Sequence, residues 1–202
     1  MGGARLEATD LAGDAEAPPI VLLHEEALEV LPGVLRALGA SEPILVGHSD
    51  GATIALIHAA AHPVRAVVAM APHVFVEGMC LDEIRAVKEL YEAGGLRDRM
   101  ARHHSDPDAA FYGWNDVWLD PGFRDWDIRD VLPRVACPVL LIQGRHDQYA
   151  TMGQLDAIEA AVAGPVERLE PDSRHAPHLE APDATLAAIA RFVRRVAGAA
   201  PR

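Results

Sequence analysis

Aromatic rings, cysteines and positive charges are all scarce in this chain of 202 residues, and two of these shortages exclude whole classes of protein. Two cysteines, Cys80 and Cys137, cannot make a disulfide framework, and they suit a reducing compartment. Cys137, beside the apolar run at Val139, reads as a small buried apolar group. Eighteen Lys and Arg against thirty Asp and Glu leave a net charge of −12, which opposes nucleic acid and anionic lipid as partners, because both need a positive footprint. No apolar run approaches the ~20 residues that span a bilayer. The first residues show no basic, then apolar, then small-residue pattern, so the expected address is the cytoplasm. The few aromatics, 5% of the chain, concentrate between Tyr91 and Trp126.

What is present in quantity is aliphatic and alternates in period. The length suits a single sizeable core, so residues 1–202 are expected to form one domain. Unbroken apolar runs at 20–23, 44–46, 66–70 and 139–142 read as buried strands, and 166–169 as a further short one. Residues 5–10 suit an edge strand. Between the strands, Ala27, Leu28, Leu31, Val34, Leu35 and Leu38 recur at helical spacing, with Pro32 near the helix start or at a kink. Helices are also expected at 81–93, 96–103 and 151–163. A last one opens with Pro182 and buries Leu186, Ile189, Phe192, Val193 and Val196. Strands alternating with helices predict an α/β fold, a mostly parallel sheet with helices on both faces.

The most informative stretch is Gly47-His48-Ser49-Asp50-Gly51, between the apolar run Ile44-Leu45-Val46 and the helical run starting at Ala52. Strand, tight turn and helix place Ser49 at the apex of a sharp bend, where the close approach of backbone calls for small flanking residues. Its hydroxyl then stands at a helix N-terminus, where free N–H groups can hold a developing oxyanion. Such a serine needs a base and a carboxylate to activate it. Gln143-Gly144-Arg145-His146-Asp147 places Asp147 just past a strand's C-terminal end, where α/β sheets keep their chemistry. The bland alternative for Asp147 is a cap on the helix near Thr151. The loop after residues 166–169 holds His175 and His178, one of which would be the base; the alternative is a pair of surface histidines.

Ten histidines raise a metal reading, through His58 and His62 at i, i+4 and the pair His103-His104. That helix lacks the Glu of H-E-x-x-H, and no partners are placed to complete four ligands, so no metal and no cofactor is expected. His58 and His62 are expected instead at a helix margin near its C-terminal cap, where positive charge is welcome.

In four pieces the chain resembles the α/β-hydrolase family: Val21-Leu22-Leu23-His24, the serine elbow, the acid loop ending at Asp147, and His175-Ala176-Pro177-His178-Leu179-Glu180. The resemblance implies Ser49 as nucleophile, Asp147 as acid and His175 as base, with His178 second in line. It implies an oxyanion hole from the backbone N–H of Asp50 and of the residue at Glu26. It places a helical lid over residues 73–131, with Trp114 and Trp118 on one helical face, and makes His24, His48, Trp114, Trp118 and His178 candidates for touching a small-molecule acyl substrate. Because Ser49 holds the apex, Asp50 is expected to face away.

The resemblance departs after His24, where Glu25-Glu26-Ala27-Leu28 starts a helix at once. A strand-plus-crossover unit of roughly 30 residues is missing, so the fold is expected to be truncated in its N-terminal half. The strand at 20–23 then becomes a candidate exposed edge and a route to a homodimer. Glu26 also puts a carboxylate at an oxyanion donor position, and losing one donor costs ~100 to 1000-fold in rate. The expected function is a serine hydrolase of a small ester, thioester or activated C–C bond. The alternative is a degenerate, catalytically weak or inactive homologue serving as a binding domain.

Overall fold

The computed structural model describes residues 26–198. The expected strands at 5–10 and 20–23, and His24, lie outside the described residues. The description starts with a π-helical turn, Glu26–Val30, that runs into helix α1, Leu31–Ala37. Pro32 sits at the start of α1, where its missing N–H costs no hydrogen bond. The stripe read from the sequence is only partly buried: Ala27 is covered, Leu31, Val34 and Leu35 are half-buried, and Leu28 and Leu38 are exposed.

There follow β1, Ile44–His48; α2, Asp50–Ala61; and β2, Ala66–Met70. Between β2 and the next strand lie α3, Gly78–Glu92; α4, Gly95–Met100; α5, Pro107–Leu119; and two 3-10 turns. Then come β3, Val139–Ile142; α6, Gly153–Ala161; β4, Val166–Leu169; α7, Pro177–Glu180; and α8, Pro182–Gly198. The helix expected at 81–93 starts earlier, at Gly78, which brings Cys80 into it. The helix expected at 96–103 stops at Met100.

The four strands pair in the order β1-β2-β3-β4, all parallel. Parallel neighbours joined by crossovers of one hand put every crossover helix on the same face of the sheet. Accordingly α2 and α6 share a face, where Ala52, Leu56, Leu155 and Ile158 pack against Val67, Ala69, Val139 and Leu141. The alternate strand residues Val68, Met70, Leu140 and Ile142 point the other way and are covered by Ala188, Phe192 and Val196 of α8. With a helix layer on each side, β2 and β3 are buried along their whole length, which is why they read as unbroken apolar runs.

Two sequence expectations need correction. Leu186 is 58% exposed, because the buried face of α8 runs through Thr185, Ala188, Phe192 and Val196; Thr185 takes the place given to the leucine by bonding its hydroxyl to the Pro177 carbonyl at 3.0 Å. His58 is not a charged cap. It is buried, its Nδ1 donates to the Ala27 carbonyl at 2.8 Å, and burial lowers its pKa. It ties the π-helical turn to α2 as a neutral ring. Among the described residues β1 is an edge of the sheet, with Val46 53% exposed. Among them, too, no helix is long and apolar enough to cross a membrane, and no three His, Cys, Asp or Glu side chains gather as metal ligands.

Candidate active site

The C-terminal ends of β1, β3 and β4 point the same way because all the strands are parallel, so the loops that leave them meet at one end of the sheet. The β1 loop is a single residue. Ser49 has φ 55° and ψ −124°, outside the regions open to an ordinary L-residue, and such strain costs about 1–3 kcal/mol. It is held from both sides: the Ser49 N–H donates to the Met70 carbonyl at 2.8 Å, and its own carbonyl accepts from Ala52 at 2.9 Å. Gly47 is required here, since a Cβ on it would lie 2.2 Å from the Gly51 carbonyl oxygen. Gly51 is different: among the described residues nothing lies within 4 Å of where its Cβ would be. Only one of the two flanking glycines is therefore imposed by packing.

The acid and histidine loops are knitted together by backbone. Arg145 N–H donates to Pro171 and His146 N–H to Ser173, each at 3.0 Å. Gly144 permits this contact, because a Cβ there would meet the Arg174 and Ser173 carbonyl oxygens at 2.1 and 2.2 Å. The Asp147 carboxylate has no exposed surface, and it accepts the Tyr149 N–H at 2.9 Å. That bond closes a local turn, which replaces the helix cap considered from sequence, as α6 starts only at Gly153. His175 Nδ1 donates to Asp147 Oδ1 and Oδ2 at 2.9 and 3.0 Å, and its Nε2 lies 3.1 Å from Ser49 Oγ. A hydroxyl, an imidazole and a carboxylate thus form one hydrogen-bonded line. The Asp147 contact assigns the proton to Nδ1, leaving Nε2 as acceptor for the serine proton. His175 keeps 15% of its side chain exposed, so it can be reached from outside while Asp147 cannot.

A cavity of about 230 Å³ opens on this line. Trp114, Trp118 and Ile84 form its apolar wall, and Tyr149 stands edge-on to His175 with ring centroids 4.7 Å apart. His73, Cys80 and Asp50 also line it. Asp50 does not face away as expected. Its carboxylate lies in the cavity wall with Trp118 Nε1 at 3.5 Å, and burial raises its pKa. Burial drives His73 down to about 3, so it is a neutral ring at any ordinary pH, and it pushes the Cys80 thiol up to about 12, which leaves it unreactive. A larger groove of about 400 Å³, rimmed by Asp82, Arg85 and Arg124, lies across Trp118, and no serine, threonine, cysteine or histidine lines it among the described residues.

Of the other residues singled out from sequence, His48 lines the cavity, but its Nε2–H is committed to the His175 carbonyl at 2.8 Å. His178 packs edge-on against His48, at 4.8 Å between centroids, and is apart from the Ser49 line. Glu26 opens the π-helical turn. His24 lies outside the described residues. Sequence reasoning passed over His73, Tyr149, Cys80 and Ile84. The signal for His73 was its place just past the C-terminal end of β2, the same argument that found Asp147. Cys80 and Ile84 gave none, since on a helix only packing decides which face meets the cavity.

The aromatic segment divides in two. Tyr91 stacks on Phe111 and Phe123 on Trp126, so most of its rings pack on one another, while Trp114 and Trp118 reach the cavity.

Three comparisons with known proteins bear on this geometry. The model of the alpha/beta hydrolase family matches residues 2–188. The serine hydrolase BPHL of Homo sapiens is 29% identical over 167 residues, which cover 74% of this chain and 54% of that protein; the Mus musculus protein is 27% identical over the same shares. The chain therefore spans about half the length of the curated relatives it matches. Among solved structures, a membrane phospholipase A described as a bacterial virulence factor superposes with a TM-score of 0.67 at 20% identity, over 88% of this chain and 64% of that one. The proline iminopeptidase of Mycobacterium smegmatis gives 0.64 at 21% identity, over 90% and 74%. At these identities the structural likeness speaks for the fold alone.

Proposed function

The chain belongs to the alpha/beta hydrolase family, and from that premise we propose that it is a serine hydrolase in which Ser49, His175 and Asp147 form the catalytic triad. The observation that supports this reading is the unbroken line from the Asp147 carboxylate through both nitrogens of His175 to Ser49 Oγ. Ser49 attacks the carbonyl carbon of an ester, thioester or activated C–C substrate while His175 Nε2 takes its proton. Asp147 keeps the imidazole in the tautomer that can do so and stabilises the imidazolium that forms. The N–H of Asp50, the first residue of α2, donates to the oxyanion, while those of Ala52 and Thr53 are taken up by the Ser49 carbonyl. His175 then gives its proton to the leaving group, and water releases the acyl group by the same steps in reverse.

The cavity limits the acyl group. A volume of about 230 Å³ suits a small one. Residues 73–131 act as a lid over the site, through the wall made by Ile84, Trp114 and Trp118. The buried Asp50 carboxylate beside the nucleophile favours acyl groups that carry a hydrogen-bond donor or a positive charge over plain alkyl ones, since either relieves its desolvation.

A second reading, a catalytically weak homologue that only binds, is favoured by Glu26, which the family resemblance puts at an oxyanion donor position. A fluorophosphonate probe separates the two. Labelling of the wild type that is lost in Ser49→Ala, with turnover of short-chain nitrophenyl or thioester substrates falling at least about 10⁴-fold, supports the hydrolase. A folded wild type that takes no label supports the weak homologue.

A further inference from the structure

We propose that His48 is a positioning residue: its side chain clamps the histidine loop to the serine elbow, holding His175 Nε2 within reach of Ser49 Oγ. This rests on the reading of Ser49 and His175 as nucleophile and base.

The need for a clamp follows from the topology. Ser49 follows β1 at one side of the four-strand order, and the histidine loop follows β4 at the other. With neighbouring strands ~4.8 Å apart, the two strand ends are separated by about 14 Å of sheet, so the histidine loop must reach back across β3 and β2. The Asp147 loop steadies it from β3 by gripping the ring at Nδ1. The backbone bonds from Arg145 and His146 tie the histidine loop to the acid loop, and Glu180 holds the N–H groups of Arg174 and Ala176, but none of these contacts reaches the serine elbow. His48 supplies the missing restraint. It is the last residue of β1, immediately before the nucleophile, and its Nε2–H donates to the main-chain carbonyl of His175 at 2.8 Å. Main chain and ring of His175 are then held separately, one from each end of the triad.

The surroundings of His48 fit this task better than substrate contact. Its ring lies between His175 and His178, with centroids 5.0 and 4.8 Å away, so its orientation is set by packing. A neutral imidazole has one N–H, and here that donor is occupied. Burial lowers the His48 pKa, which keeps the ring uncharged beside the imidazolium that His175 becomes during attack. A lysine or arginine could donate to the same carbonyl but would oppose that charge.

The test compares wild type with His48→Gln, which keeps a donor at a similar reach, and with two donor-less variants, His48→Met and His48→Phe, so that one poorly folded protein does not decide the matter. Two quantities are read: kcat and KM on nitrophenyl butyrate, and the low-field proton resonance of His175 Nδ1–H, assigned by its loss in Asp147→Asn. Displacement of a catalytic group by about 1 Å costs ~100-fold. The donor-less variants should lose roughly 10 to 100-fold in kcat with KM within about threefold of wild type, and the resonance should broaden or vanish. Gln should restore kcat to within about threefold and bring the resonance back. Donor-less variants with wild-type kcat and an intact resonance would overturn the proposal. So would a Gln variant as impaired as Met with KM raised, which would assign His48 to the substrate. An inactive wild type whose resonance is nevertheless lost in His48→Met and kept in His48→Gln would sink the hydrolase reading and leave the clamp standing.

Discussion

The two faces of the sheet are built on different terms. Under α8 the contact with the sheet is apolar, with Ala188, Phe192 and Val196 covering Val68, Met70, Leu140 and Ile142, and the buried Thr185 at its first turns bonds the Pro177 carbonyl. Under α2 and α6 the larger core also buries Thr53, His58 and Gln154. Each of these holds a loop. Thr53 bonds the His73 carbonyl at 2.6 Å, His58 the Ala27 carbonyl, and Gln154 accepts from Val74 N–H at 2.8 Å while donating to Phe75 and Glu77. The α8 face is stabilised mainly by apolar area, with the Thr185 bond as its one named directed contact. On the other face Thr53 and Gln154 fix the segment that leaves β2, where His73 lines the cavity, and His58 holds the π-helical turn at Ala27.

Substitutions can break or sharpen that contrast. The largest effect belongs to Asp147→Asn, expected to lower kcat by roughly 10⁴-fold with little change in the urea midpoint, because it spoils a tautomer and leaves the packing alone. Phe192→Ala should do the reverse. It removes the largest ring of the α8 face and should cost about 3–5 kcal/mol in urea unfolding, with kcat per folded molecule unchanged. If kcat falls as well, the two faces are not independent.

His73 gives the third test. Its folded pKa, about 3, lies below the ordinary 6.5, so between those values the unfolded chain binds a proton that the folded one refuses. Stability must therefore fall as the pH drops through that window, by roughly 1.4 kcal/mol per pH unit for this one group. His73→Gln should remove that contribution, seen as a shallower loss of stability between pH 6.5 and about 5 in parallel urea titrations. The depressed His48 and His58 act in the same direction and leave a residual slope. The smallest effect is Leu186→Lys, within about 0.5 kcal/mol, since the side chain that sequence periodicity assigned to the core is in solvent.

Much of the architecture was legible because it rests on local chemistry. Apolar runs such as 66–70 are strands buried on both faces wherever they occur, and the alternation of strand and helix leaves few parallel arrangements. Gly47 and Gly144 were visible as glycines, yet only the packed chain distinguishes Gly47, pressed against the backbone of α2, from Gly51, whose Cβ position is open among the described residues. Errors came where one face of an element had to be chosen. Leu186 and Thr185 are adjacent on α8, and hydrophobicity favoured the wrong one, since the Pro177 carbonyl needed a buried hydroxyl partner. Asp50 was given an outward direction from its offset to Ser49, whereas the sharp turn at the apex carries it into the cavity wall.

The order and type of residues along the chain were enough to determine a parallel α/β fold and three chemical groups at the ends of its strands, because periodicity and turn chemistry act over a few residues at a time. Which histidine meets Ser49, what His48 holds and which rings wall the cavity depended on loops more than a hundred residues apart in sequence arriving within about 3 Å of one another. Those distances are set by strand spacing and by the bonds between loops, and no local pattern encodes them.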